Sequence, residues 1–405
     1  DSTTPYSPLN TCGRCHDYDK ISHGWHFNAF QSEKPDSIAG RQGEPWIWTD
    51  PRTGTQLPLS YRDWPGIYHP NRVGIGPWEM TQHFGDRLPG GNMGAGPAQD
   101  QPSRTDPSAG EEPEIESKDD AAESSWSPRW VFSGALEIDC MICHAVSGAY
   151  DFNERRRQIR NENFAWAPTA ALALGQIDGR VSRIKSDADP DDDDTKDRLP
   201  TVTYDANRFA ADGKVFFDLI RQPSNNACYQ CHSNRIVSEQ GIEADWIHDD
   251  DVHLNAGMEC VDCHRNGIDH HISRGFDGEI NPGGHDVATL SCAGCHLGKD
   301  SGSGYPDNLA DRPGRLGSPQ PAHVGLPPVH FQKLTCTACH AGPAPRDQAL
   351  RIMTSLAHGL GEKGHRSGLE LPAMLGPVYL KNELGRIAPS RAIWPAFWGT
   401  FDGTT

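Results

Sequence analysis

The sequence has no run of about 18 apolar residues, the length a helix needs to cross a hydrocarbon layer, so no segment reads as a membrane span. Cationic charge is also scarce, with 37 Lys and Arg against 55 Asp and Glu and a formal net charge of −18. A polyanion is repelled by such a balance, which excludes nucleic acid as a partner and favours cationic ones. Apolar residues make up only 36% of the 405-residue chain, and 42 Gly and 32 Pro interrupt it. Such a composition builds a thin apolar core for its length. Strand-like alternation is scarce, and helical periodicity is confined to Asn153 to Asn163, Ala211 to Arg221 and Arg346 to Leu360. The last stretch puts Ala349, Met353, Leu356 and Leu360 on one face.

No cysteine stands alone. All 12 belong to six CxxCH motifs: Cys12-Cys15-His16, Cys140-Cys143-His144, Cys228-Cys231-His232, Cys260-Cys263-His264, Cys292-Cys295-His296 and Cys336-Cys339-His340. A shuffled chain of this composition would contain roughly 0.02 such motifs. Structural zinc needs four converging ligands and does not require His after every second Cys. A disulfide framework would scatter its spacings, and a redox CxxC is expected once per domain. Two thiols at i and i+3 on a helical turn, by contrast, can add across the two vinyl groups of one haem, with the next His beneath the iron. Each motif therefore marks a covalently bound haem c, and the six motif histidines are the proximal iron ligands. The expected fold is mainly short α-helices and coil wrapped around a chain of six covalent haems, with few strands, the macrocycles serving as the core.

Thioether attachment needs reduced thiols meeting haem outside the cytoplasm, so the chain is expected to be exported, periplasmic or extracellular. It opens at Asp1 without a charged-then-apolar leader, which implies a secretory signal removed or lying upstream. The first cysteine, Cys12, belongs to a haem motif, so no lipid-bearing Cys opens the sequence. Propionates and ferric irons together would take the net charge to about −24.

Motif spacing divides the chain unevenly. Residues 1–130 hold the first motif, a Trp- and Pro-rich excursion and an acidic loop. Residues 131–225 hold the second motif and a second acidic loop, 226–345 form a four-haem module, and 346–405 form a C-terminal helix and aromatic tail. The excursion from Gly40 to Gly96 shows neither helical nor strand period and reads as an ordered loop covering haem faces. The acidic tracts Ser103 to Ser125 and Ser186 to Asp197 read as solvated loops. Asp187, Asp189, Asp191 and Asp193 alternate like the start of a calcium loop, but the Gly and distant Glu of an EF-hand are missing, which leaves calcium a minor reading.

Each iron needs a second axial ligand, and thirteen histidines lie outside the motifs. Bis-His ligation is the default expectation, since a second imidazole holds the potential low where Met raises it. His253, His285 and His330 precede a motif at a recurrent offset ("HLNAGMECVDCH", "HDVATLSCAGCH", "HFQKLTCTACH"). His26 and His270 follow a motif closely, with His23 and His271 as their rivals. The sixth position stays open between His358 and His83. His69, His248, His323 and His365 show no comparable pattern and read as surface or propionate-binding residues. Met141 and Met258 flank motif cysteines and read as packing residues.

The six motifs and the upstream histidines make the chain resemble multihaem c-type cytochromes, chiefly over residues 12–26 and 228–341. In that group a His just upstream of a motif usually ligates a neighbouring haem and so stitches the array together. The segments "CVDCHRNGIDHHISRG" and "HFQKLTCTACH" are also similar to parts of the octahaem tetrathionate reductase-like group, which, like cytochrome c nitrite reductase, uses a lysine-ligated or open catalytic haem. This chain departs from them, since it contains no CxxCK. The expected function is therefore an electron carrier without substrate chemistry of its own, working between cationic or membrane-bound redox partners. A reductase of a small inorganic nitrogen or sulfur species at one open haem is the alternative. A subunit of a conductive filament is another, because filament-forming hexahaem cytochromes resemble the chain in haem count and length, and a homo-oligomer or a subunit of a membrane complex is also compatible with the pattern.

Overall fold

The computed structural model describes residues 4–22, 24, 27, 47–49, 56–58, 128–185, 188–189, 191–232, 235–238, 241–246, 251–272, 292–297, 317–340, 350–353, 374–382 and 385–393. They fall into two compact units along the chain, divided after Cys231. Among the described residues there are twelve short α-helices and nine short strands joined by coil. None of these helices is long and apolar enough to cross a membrane. The expectation of short helices and coil is met at that level.

The first unit contains α1 (Pro8–Cys12), α2 (Tyr18–Ser22), α3 (Met141–His144), α4 (Phe152–Arg160), α5 (Ala167–Ala171) and α6 (Asp193–Lys196), and the paired strands β3 (Gly175–Asp178) and β4 (Thr201–Tyr204), with α5 packed on β3. The helix expected from Asn153 forms as α4. Asp151 caps it by accepting from the amides of Asn153 and Glu154. Its buried face is Phe152, Arg155 and Ile159, at helical spacing. Ile159 packs with Leu136, Phe164 and Ala167, while Met141, Ala145, Leu172 and Leu174 form a second cluster beneath the second motif. Met141 is thus a packing residue, as expected. Asn163 ties these layers together, since its amide donates to Gln158 Oε1 (2.9 Å) and its carbonyl oxygen accepts from the Val181 amide (3.1 Å).

Two expected helices do not form. Between Ala211 and Arg221 the chain turns instead at Gly213, whose φ is +78°, and pairs Phe209 with Val215 and Ala145 with Leu219 in isolated bridges. Asp212 and Gly213 favour the turn over continued helix, because Asp bonds its own neighbouring backbone and Gly adopts positive φ without steric cost. From Arg346 to Leu360 the described part, Leu350–Met353, is a strand, β7. Its pairing with two neighbouring strands overrides the weak local helical period.

The second unit holds an antiparallel sheet in the order β6-β5-β7-β8-β9, from β5 (Arg235–Ser238), β6 (Gly241–Trp246), β7, β8 (Met374–Lys381) and β9 (Ile387–Ile393). The helices of this unit are α8 (Val252–Asn255), α9 (Cys260–Cys263), α10 (Cys292–Leu297), α11 (Pro328–Lys333) and α12 (Thr337–His340), while α7 (Asn225–His232) lies in the first unit up to Cys231. In the aromatic excursion, β1 (Ile47–Thr49) pairs with β2 (Gln56–Pro58), a correction to the reading of that stretch as free of strands. Among the described residues, the buried hydrophobic ones all lie in the first unit, between Phe27 and Val202. Among the described residues of the second unit no hydrophobic side chain is buried, although Asp269 is, and Val252, Ile268, Leu297, Val324, Leu326, Val329 and Phe331 stand exposed.

Candidate functional site

Every CxxCH motif coincides with a turn of helix. The motif His amide bonds the carbonyl of the first Cys four residues back in the first, second, fourth and sixth motifs, at 3.0, 3.0, 2.9 and 3.0 Å. The third and fifth lie inside α7 and α10. At i and i+3 both thiols project from one side of the turn, the arrangement that thioether attachment to one macrocycle requires.

Local contacts bring the motifs together in space. The Ser7 hydroxyl and the Leu9 amide donate to the Glu137 carboxylate, and the Ile138 amide donates to the Tyr18 hydroxyl at 2.7 Å. These bonds dock the first motif onto the coil segment that enters the second. Cys12 and Cys140, 128 positions apart, consequently share a thiol hydrogen bond, which pulls Cys12 down to about 7 and pushes Cys140 well above the usual thiol range. The thiolate is the reacting form. Burial pushes Cys143 up to about 12, with Cys231 of the third motif also close enough to raise it. The link between these two motifs is backbone: the Ile220 amide donates to His144 O and the Val146 amide to Asp218 O. Burial likewise raises Cys263, with Cys295 of the next motif contributing. Motifs one to three, and four and five, are therefore neighbours.

The histidines carry the more specific geometry. His144 Nδ1 lies 2.9 Å from Ile220 O, and His296 Nδ1 lies 2.7 Å from Pro319 O. With Nδ1–H donated to a carbonyl, the neutral ring keeps Nε2 as its lone-pair nitrogen, the usual arrangement of a metal-bound imidazole. The rings of His253 and His296 have centres 6.2 Å apart. His253 Nδ1 faces Asp251 Oδ1 at 3.3 Å, which again leaves Nε2 for the far side. Two imidazoles facing one another across a metal, each nitrogen about 2 Å from it, have ring centres roughly 6 Å apart. Among the described residues no three His, Cys, Asp or Glu converge on a point. An iron held by a porphyrin would need only two protein ligands, and the His253–His296 separation is of the size such a pair would have. The residues fit haem on three counts: thiol placement, paired imidazoles and exposed apolar side chains beside them.

The other expected distal ligands divide. His270 is described, with φ +54° and Nδ1 2.9 Å from Ile268 O, a left-handed conformation that a non-glycine residue adopts at a cost. His271, its rival, has its amide on Asp269 Oδ1 at 3.3 Å. His330 sits exposed on α11. His26, His83, His285 and His358 lie outside the described residues, as do His23, His69, His248 and His365, the tract Ser103 to Ser125 and the tail after Ile393. Of the alternating aspartates, Asp189 accepts from the Asp191 amide and Lys196 Nζ bonds Asp191 O, local turn contacts of an acidic loop. Asp187 lies outside the described residues.

One further histidine lies close to a motif although its sequence pattern did not single it out. His323, read as a surface or propionate-binding histidine, has its ring centre 6.0 Å from that of His340, the motif histidine of the sixth CxxCH. No known protein family, curated protein or solved structure matches the chain.

Proposed function

We propose that the chain is an exported multihaem cytochrome c that carries single electrons along closely spaced low-spin haems between redox partners. The observation that carries this reading is the His253–His296 pair, in which a histidine upstream of the fourth motif faces the proximal histidine of the fifth at a separation of 6.2 Å. Haem bound at these motifs supplies an iron that exchanges one electron at a time.

The chain's own residues do the rest. The motif thiols would hold each macrocycle on a helical turn. Ile220 O and Pro319 O hold the rings of His144 and His296 with Nε2 presented. The imidazoles of His253 and His296 would hold such an iron, and histidine ligation would favour low potential and little rearrangement on reduction, which suits transfer over substrate chemistry. The adjacency of Cys12 with Cys140, Cys143 with Cys231 and Cys263 with Cys295 supports short steps between successive centres. The exposed apolar side chains of the second unit are those that bound macrocycles would cover, replacing the missing core.

The test is a pyridine haemochrome count on the denatured protein together with carbon monoxide binding to the reduced native form. Six covalent haems per chain and no carbon monoxide adduct are expected. Four haems or fewer would sink the reading of every CxxCH as occupied, and a carbon monoxide adduct of the unaltered protein would turn the conclusion toward a reductase with an open iron.

A further inference from the structure

We infer that His323, and not the upstream His330, is the distal iron ligand of the haem attached at Cys336 and Cys339, and that one strap of chain, residues 317–327, ties this haem to the one attached at Cys292 and Cys295. The inference rests on the multihaem reading and assigns ligands within it.

Three observations single out His323. Its ring centre lies 6.0 Å from that of His340, inclined at 58°, close to the 6.2 Å of His253 and His296. Both distances match the roughly 6 Å expected for imidazoles on opposite sides of one metal. Its backbone is left-handed, with φ +41°, and strain of that kind persists where surrounding structure holds a side chain in a required place. Its ring also meets Phe331 edge-on, with centres 5.2 Å apart, so it is held from a second direction. Phe331 belongs with Val324, Leu326 and Val329 to an exposed apolar group, the kind of surface that would lie against a macrocycle.

The strap does more than carry His323. The Ser318 hydroxyl donates to Cys295 O at 2.6 Å, and Pro319 O receives the ring N–H of His296 at 2.7 Å. Residues 318 and 319 thus hold the proximal side of the fifth motif, and four residues on, His323 faces the proximal ligand of the sixth. Four extended residues span at most about 14 Å, so the two centres are near neighbours. The sixth motif is fixed from its other end by the Thr335 amide and hydroxyl, both donating to Ile387 O on β9. In this arrangement the fifth haem takes its distal ligand from the segment of the fourth, through His253. The sixth takes its own from the strap before it.

The experiment compares His323→Ala, His323→Met and His330→Ala with the unaltered protein by pyridine haemochrome count, optical and electron paramagnetic resonance spectra, and carbon monoxide binding. The count tests the haem reading by itself. With it intact, His323→Ala is expected to keep six haems while one becomes high-spin and binds carbon monoxide. Added imidazole should return that haem to the low-spin state, which rescue of a merely structural defect would not do. His323→Met should stay low-spin with one potential raised, and His330→Ala should leave the spectra unchanged. A low-spin, carbon monoxide-inert His323→Ala variant, or the loss of a low-spin haem in His330→Ala, would overturn the assignment. A His323→Ala variant that stays high-spin in imidazole would overturn it as well.

Discussion

His253 and His296 face one another with ring centres 6.2 Å apart and planes inclined at 60°, although 43 positions separate them in the chain. His253 reaches this place from α8, a single helical turn capped by Asp251, whose carboxylate accepts from the His253 and Leu254 amides at 2.8 and 3.2 Å and also faces His253 Nδ1. Cap and ring orientation therefore depend on one side chain.

Replacing His253 by Ala should leave every thioether intact and open one iron, so that about one-sixth of the haem becomes high-spin and binds carbon monoxide. His253→Met should keep the low-spin state and raise a single midpoint potential. Asp251→Ala removes the cap, at a cost of about 1 kcal/mol, and frees the ring to turn, so a broadened low-spin signal from one haem is expected. Resonance spectra with a redox titration check all three. Unchanged spectra throughout would show that this pair does not bracket an iron.

Much of this site was legible in the sequence for a simple reason. CxxCH is a local pattern, and one helical turn between Cys12 and His16, or Cys336 and His340, is enough to build it. His253 was singled out by its recurrent offset from a motif. His323 shares no such offset, because a loop rather than a helix presents it, and the deciding contact with His340 spans 17 positions. Its only local signal was the stretch Pro321-Ala322-His323-Val324-Gly325, turn residues on both sides of a histidine. The sheet was hidden for a different reason. Gly376 and Pro377 interrupt β8 where its register with β9 shifts, between Leu375 and Val378, and Pro389 interrupts β9, so neither strand shows clean alternation.

Phe164 is 1% exposed and packs with Leu136, Ile159 and Ala167 at the centre of the first unit. Phe164→Ala should cost about 3–5 kcal/mol through lost burial and the cavity left behind. The loss should lower the unfolding midpoint of the first unit while haem content and carbon monoxide behaviour of the folded protein stay as they were, checked by calorimetry and the haemochrome count. A drop below about 1 kcal/mol would mean that haem, and not this apolar cluster, organises the first unit as well.

Asp139, immediately before Cys140, is buried, and burial raises its carboxyl above the usual range against the opposing pull of Arg155, of the Tyr150 hydroxyl donating at 2.6 Å, and of the Met141 amide. The folded chain therefore holds this proton more tightly than the unfolded chain does. Between the ordinary carboxylate value and the raised one, unfolding releases a proton, so this group's contribution to stability falls as pH rises through that window and levels off above it. Asp139→Asn should flatten that slope. Tyr150→Phe leaves a buried carboxylate oxygen without its donor and should cost about 1–3 kcal/mol, chiefly at the high-pH end where the group is charged. Unfolding curves of both variants across about pH 4 to 8 check the sign, and a slope unchanged in Asp139→Asn would assign the pH dependence elsewhere.

The net charge of −18, which haem propionates would make more negative, predicts how partners find the protein. A surface of one sign concentrates oppositely charged carriers around it and can raise their encounter rate about 10-fold to 10³-fold at low salt. Screening shortens to about 10 Å at 0.1 M ionic strength and about 3 Å at 1 M, so such steering fades as salt is added. The reduction rate by a cationic mediator should therefore fall steeply with salt and that by an anionic mediator should rise, measured by stopped flow at constant driving force. The two trends must be opposite in sign, because both arise from one field. Mediators of similar size and potential separate this from any general effect of salt on the haems, which would move both rates the same way. If neither rate responds, the acidic composition serves solubility, and the redox partner is held through a lasting apolar contact instead of being gathered from solution by charge.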